Sequence, residues 1–192
     1  EPGNNMSTAN TIQSETGKHA NAAADAAILP GETVRIAGVV RESIVDGPGL
    51  RFAIFSQGCP RRCKGCHNEA AQDFGGGYDC EMTRIMEEID ANPLLSGVTF
   101  TGGEPFCRPR EFYKLGVAIK NRNLDIVAYT GYTLEELQEL AQKDEDVKKL
   151  LGIVDYLVDG PFILEERDLT LQFRGSRNQR FIRMSDMQEL YK

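Results

Sequence analysis

The sequence predicts a single α/β domain, built on a mostly parallel sheet or an incomplete barrel. Two observations carry that expectation. Short runs rich in β-branched and aromatic residues end in glycine or polar residues, and stretches of helical periodicity lie between several of them. Strands that alternate with helices pair in parallel, because each crossover helix returns the chain to the same end of the sheet. No internal repeat and no second domain interrupts the pattern.

Taken in order, residues 1–32 stand outside it. "EPGNN" at 1–5 has the look of a remnant appended ahead of Met6, and "STANTIQSETGKHANAAADAA" carries no apolar periodicity that could anchor it. A flexible extension over 1–32 is expected, with His19 solvated, followed by one domain over 33–192 that ends in a basic tail. Strands are expected in "VRIAGVV", "LRFAIFSQ", "GVTFTGG", "LDIVAYTG" and "VDYLVDG". A helix over "CEMTRIMEEIDAN" follows from Met82, Ile85, Met86 and Ile89 at steps of three and four, and "REFYKLGVAIKNR" repeats this less cleanly through Phe112, Leu115, Val117 and Ile119. "TLEELQELAQ" opens with Thr133 and then Glu136, a capping box. In such folds ligands bind beyond the carboxyl ends of the strands, where these glycine-rich turns fall.

Composition narrows the function. The chain has 192 residues, 41% apolar and 27% charged, enough for one real core. A formal charge of −7 disfavours general binding to nucleic acid or anionic membrane. No apolar run approaches the roughly 20 residues of a membrane helix, and the start lacks a signal-peptide layout, so a cytoplasmic protein is expected. Five cysteines, an odd number and tightly clustered, suit metal or redox chemistry better than a disulfide framework.

The cluster is "SQGCPRRCKGCHNEA", where Cys59, Cys63 and Cys66 form C-x3-C-x2-C directly after an expected strand. A loop that leaves a strand and folds back can aim three thiolates at one centre. Both an iron–sulfur cluster and zinc accept thiolate ligation. A closed zinc site needs a fourth ligand, which His67, Cys80 or Cys107 could supply; a disulfide with a leftover thiol is a further alternative. Three ligands on a four-iron cluster leave one iron open to a substrate. Arg61, Arg62 and Lys64 either offset the charge of an anionic cluster or sit on a solvated loop.

This triplet resembles the signature of radical S-adenosylmethionine enzymes. The resemblance implies a 4Fe-4S cluster held by Cys59, Cys63 and Cys66, with S-adenosyl-L-methionine on the open iron and a flavodoxin or ferredoxin as electron donor. It further implies a partial (β/α) barrel of about six mostly parallel strands. "GVTFTGGEPF" is similar to the family's GGE motif, which makes Gly102, Gly103 and Glu104 candidates for binding the cofactor; taken alone it is an ordinary strand-to-helix turn. Gly65, Cys66 and His67 match positions where the cluster loop itself touches the cofactor. Thr130 in "AYTGYT" is a candidate on the same rim, although a plain turn explains those letters too, and Asp159 is another. "SIVDGPGLRF", with Asp46, Gly47, Pro48, Gly49 and Arg51, resembles the DGPG-x-R segment of glycyl-radical activating enzymes, which remove a hydrogen from a glycine of a partner protein.

The tail "LTLQFRGSRNQRFIRM" carries Arg174, Arg177, Arg180 and Arg183. By composition it is a terminal strand with a solvated basic face. After "VDGPFILEERDL" it resembles the end of proteins that activate anaerobic ribonucleoside-triphosphate reductases, which implies that reductase as partner. Activation of pyruvate formate-lyase, radical chemistry on a small molecule, and a non-catalytic zinc-stabilised binding module remain the alternatives. Two departures stand out: "HNEAAQDF" lacks the tryptophan often found after the last cluster cysteine, and Cys80 and Cys107 match no family ligand, so both read as spare thiols.

Overall fold

The computed structural model describes residues 26–192. His19 and residues 1–25 of the expected extension lie outside the described residues. Residues 26–32 pack against the domain: Ala26 is buried, and Glu32 accepts a hydrogen bond from Lys114 Nζ at 2.5 Å.

The strands are β1 (Thr33–Ser43), β2 (Arg51–Ser56), β3 (Tyr78–Glu81), β4 (Gly97–Gly102), β5 (Asp125–Tyr129), β6 (Tyr156–Asp159), β7 (Arg180–Arg183) and β8 (Gln188–Leu190). The helices are α1 (Met82–Asp90), α2 (Pro109–Lys120), α3 (Leu134–Ala141) and α4 (Glu145–Ile153). All described strands join one sheet in the order β3-β1-β2-β4-β5-β6-β7-β8. The parallel part is β2-β4-β5-β6, and β1, β3, β7 and β8 run antiparallel at the two edges. The expected α/β sheet is therefore present, with eight strands in place of about six. β1 turns back on β2 through the short DGPG segment, too short a connection for a parallel crossover.

Connections between parallel strands are right-handed. Here they advance in one direction, β2 to β4 to β5 to β6, so every crossover helix lands on the same face. The core shows this directly. Phe52, Ile54, Val98, Phe100, Ile126, Ala128 and Leu157 from alternate strand positions pack with the apolar stripes of all four helices. Phe100 meets Phe112 of α2 edge-on, with centroids 4.9 Å apart, worth about 1 kcal/mol beyond area burial. α1 buries the four expected residues, whereas Val117 of α2 is only partly buried and Gly116 packs on Ile153 in its place. α3 carries the expected capping box, and Asp144 caps α4 through the amides of Asp146 and Val147. The residues in between face the other way, as a smaller apolar group of Val127, Val158 and Phe181 with Tyr129 and Phe173 beside polar Thr99, Thr101 and Arg51. Among the described residues no α-helix covers that face. Among the described residues no helix is long and apolar enough to cross a membrane.

Candidate active site

The DGPG segment is legible once the sheet is built. Arg51 is completely buried at the amino end of β2. Its guanidinium donates to Thr99 Oγ1 (2.7 Å), Val98 O (2.9 Å), Pro48 O (3.0 Å) and Asp125 Oδ1 (2.6 Å). Thr99 Oγ1 in turn donates to Asp46 O at 2.7 Å. One side chain therefore pins β2, β4 and β5 at their amino ends and holds the turn above them. Gly97 belongs to this design, since a Cβ there would stand 2.3 Å from Asp125 Oδ1 and 2.6 Å from Arg51 Nη2.

The cysteines leave the opposite, carboxyl end of β2. Their loop is closed at its base by backbone bonds, Gly58 N to Ala71 O (2.7 Å) and Cys59 N to Gln72 O (3.0 Å). Gln57 Nε2 reinforces it through Ala70 O and Asp73 O. The GGE turn is fastened to this base: Gly103 N donates to Ser56 O (2.7 Å) and Glu104 N to Gly58 O (2.8 Å). That explains the paired glycines without a ligand. A Cβ on Gly103 would lie 2.5 Å from Gly58 O and 2.7 Å from Ala71 O, and one on Gly102 would lie 2.6 Å from Phe55 Cα. Backbone atoms at these distances cannot move aside.

Above this frame lies a cavity of about 310 Å³. Cys59, Cys63, Cys66, His67, Gly102, Gly103 and Thr130 all line it, so most of the residues singled out from sequence come together. All five cysteines are free thiols, and Cys80 and Cys107 do not line the cavity. Asn68 N donates to Cys66 Sγ at 3.4 Å, and the amides of Arg61 and Arg62 point at Cys59. Burial pushes the Cys59 thiol up, and those amides oppose the shift. Amide donors aimed at sulfur are what a thiolate ligand needs to carry its charge. Among the described residues no three His, Cys, Asp or Glu side chains converge on a point where a single ion would sit. Three soft donors lining one cavity, two of them met by backbone amides, fit an iron–sulfur cluster.

Three of the sequence candidates stand elsewhere. Gly65 does not line the cavity; at φ +74 it turns the chain between Cys63 and Cys66, and a Cβ there would press on Leu164 at 3.0 Å. Glu104 is completely buried beneath the floor. Its carboxylate accepts from Thr130 Oγ1 (3.0 Å), Gly131 N (2.8 Å) and Phe106 N (3.1 Å). Burial pushes it up to about 7, against the pull of those donors. Thr130 lends its hydroxyl to this carboxylate while accepting from Tyr132 N, so its side chain holds the floor together. Cys107, nearby, is pushed up to about 11 by burial and by Glu104 and Cys59. Asp159 is buried too, and binds Arg180 and the amide of Leu134 at the start of α3.

The loop arginines divide. Arg61 lies 4.7 Å over the Tyr132 ring and bonds Glu136 Oε2 at 2.6 Å, which ties the cysteine loop to α3, while Arg62 and Lys64 are exposed. His67 packs against Phe162, with ring centroids 5.3 Å apart. The tail reaches the cavity through Gly175 and Gln179 and not through its arginines. Arg180 binds Asp159 and Glu135, Arg183 binds Asp186, and Arg174 binds main-chain carbonyls. Phe55, Thr101 and Tyr129 also line the site and escaped sequence reasoning. They are the last inward positions of β2, β4 and β5, a place that alternation from the strand ends could have revealed.

Residues 45–182 match the family model described as a 4Fe-4S single cluster domain. A protein of Vibrio cholerae serotype O1 named anaerobic ribonucleoside-triphosphate reductase-activating protein is 36% identical over 144 residues, covering 71% of this chain and 89% of that relative. Its namesake in Escherichia coli K12 is 33% identical over 146 residues, with 71% and 90% covered. The chain belongs to the family of anaerobic ribonucleoside-triphosphate reductase-activating proteins. The family extends to viruses, since a member from Enterobacteria phage T4 is 31% identical over 144 residues, 71% of this chain and 85% of its own. The match takes in both the DGPG turn and the arginine-bearing tail.

Proposed function

We propose that residues 33–192 form a radical S-adenosylmethionine domain that activates an anaerobic ribonucleoside-triphosphate reductase in the cytoplasm. On this reading the sheet is a partial barrel whose uncovered face is the reaction chamber. The observation that carries it is the gathering of Cys59, Cys63 and Cys66 in the lining of one cavity at the carboxyl ends of parallel strands, in a chain of this family. Cys59, Cys63 and Cys66 would hold the cluster, and the cavity-lining stretch Cys66–His67 with Gly102, Gly103 and Thr130 would orient the cofactor, Gly65 and Glu104 supporting it from behind.

A 4Fe-4S cluster held by these cysteines would supply the one electron, drawn from a flavodoxin or ferredoxin, for reductive cleavage of S-adenosylmethionine. The chain's own work is positional. The Gly103 and Glu104 amides are committed to Ser56 and Gly58, so the floor stays rigid beneath the thiols. The buried Glu104 carboxylate locks the β4 turn to the β5 turn through Thr130 and Gly131. Phe55, Tyr129 and Phe162 narrow the chamber and exclude water. The substrate would be a glycine of the reductase that gives up its Cα hydrogen atom and becomes the glycyl radical, S-adenosylmethionine leaving as methionine and 5′-deoxyadenosine.

The test mixes the anaerobically reconstituted, reduced protein with S-adenosylmethionine and the reductase. A doublet radical signal on the reductase, with 5′-deoxyadenosine formed, is expected. Cys63→Ala is expected to lose the cluster and Cys107→Ala to keep it. Stoichiometric zinc without iron, or a radical formed on pyruvate formate-lyase and not on the reductase, would overturn the proposal.

A further inference from the structure

A second cleft, of about 510 Å³, opens beside the thiol-lined cavity. The two share Asp46, His67, Tyr129 and Gly175, so they form one continuous depression. Its lips are apolar and face the solvent. Ile44 and Val45 are 74% and 71% exposed on the turn after β1, and Leu169 is 80% exposed on the loop across from them. These rank among the most exposed large apolar side chains of the described residues, and they flank one opening.

Both lips are held in shape. Ser43 Oγ donates to Asp46 Oδ2 at 2.6 Å and accepts from Val45 N, while Asp46 O receives Thr99 from the strand below. On the far side Asp168 Oδ1 accepts from the Thr170 amide (2.9 Å) and hydroxyl (2.6 Å), and Asp168 N bonds Gly175 O. Tyr129 Oη bonds Phe173 O at 2.7 Å and anchors this loop to β5. Fixed backbones that present bare aliphatic side chains fit a surface built to be covered. A small substrate would not cover them, since such ligands sink into the concavity and leave its rim wet. A polypeptide reaching into the cavity must cross both lips.

We propose that this cleft is the docking groove for the glycine-bearing segment of the reductase, and that the residues on either side of that glycine are apolar and seat on Ile44, Val45 and Leu169. The inference rests on the function proposed above. The partner follows from continuity with the cavity that would attack the glycine. The chemistry follows from Ile44, Val45 and Leu169, whose exposed side chains offer hydrocarbon on both sides of the opening, with Gln172 and His67 as the exposed polar groups beside them.

The experiment measures glycyl-radical yield against reductase concentration for the full chain and for Ile44→Ser/Val45→Ser/Leu169→Ser, with iron content and circular dichroism confirming an intact fold. The half-saturating reductase concentration is expected to rise at least ten-fold, with a smaller rise for Leu169→Ser alone. Leu94→Ser, equally exposed (75%) on the loop between α1 and β4 and outside the cleft, should leave it at the wild-type value. An unchanged half-saturation in the triple variant would overturn the groove. So would lips that prove to bury a second copy of this chain, seen as a dimer dissociated by the triple variant. A wild-type protein that makes no radical on the reductase at any concentration would instead overturn the underlying function.

Discussion

Replacing Arg51 with leucine removes the guanidinium that joins β2, β4 and β5, and the cost can be worked from its partners. Val98 O, Pro48 O and Thr99 Oγ1 lose a charged donor in a place that water does not reach. Hydrogen bonds to charged groups contribute about 1.5–3 kcal/mol each, but several on one side chain do not add. Breaking a buried ion pair costs about 3–5 kcal/mol. Asp125 is 38% exposed, so it rehydrates and its share is screened. Arg51→Leu should therefore lose about 3–5 kcal/mol, a large part of the 5–15 kcal/mol typical of a domain. Arg51→Lys keeps the charge without the fork and should lose about half as much. Urea unfolding reads this as a lower midpoint at constant slope. A loss under about 1 kcal/mol for the leucine variant would refute the account of Arg51 as the clamp beneath the sheet.

Two further outcomes follow from the site. Glu104 holds its proton more tightly folded than unfolded, so it contributes stability below about pH 4.5 that is lost as pH rises to about 7, roughly 3 kcal/mol over that window; in the metal-free protein Glu104→Gln should flatten this slope in urea midpoints taken at intervals across it, and parallel pH profiles would count against it. Arg61→Ala gives up a stack worth about 0.5–1 kcal/mol and a partly exposed ion pair worth about 0.2–1 kcal/mol, so iron should pass to a chelator about ten-fold faster, whereas an unchanged rate would show that the loop is held without it.

The sequence spoke clearly wherever the signal was local. Met82, Ile85, Met86 and Ile89 announced α1 by spacing, and Thr133 with Glu136 announced the start of α3. The strands of the parallel sheet were legible because each buries both faces. β3 and β8 were not, since four and three residues carry little periodicity, and β3 in addition pairs with the distant β1. α4 buries only Val147 and Leu150, and its clearest mark is the Asp144 cap. The cysteine triplet and the paired glycines were visible as letters. What sequence could not show was their mutual fastening: Glu104 belongs to the floor and not the chamber, and Arg180 of the tail, which looked like part of a basic face, is spent on Asp159 and Glu135. Those pairings span distances that no window of residues contains.

The base of the cysteine loop is closed by amide-to-carbonyl bonds from Gly58 and Cys59. In a zinc finger the ion is the fold, and stripping it unravels the chain. Here the polypeptide ties the base of the loop with its own hydrogen bonds, so a chain stripped of its inorganic guest should keep the vessel and accept a refill.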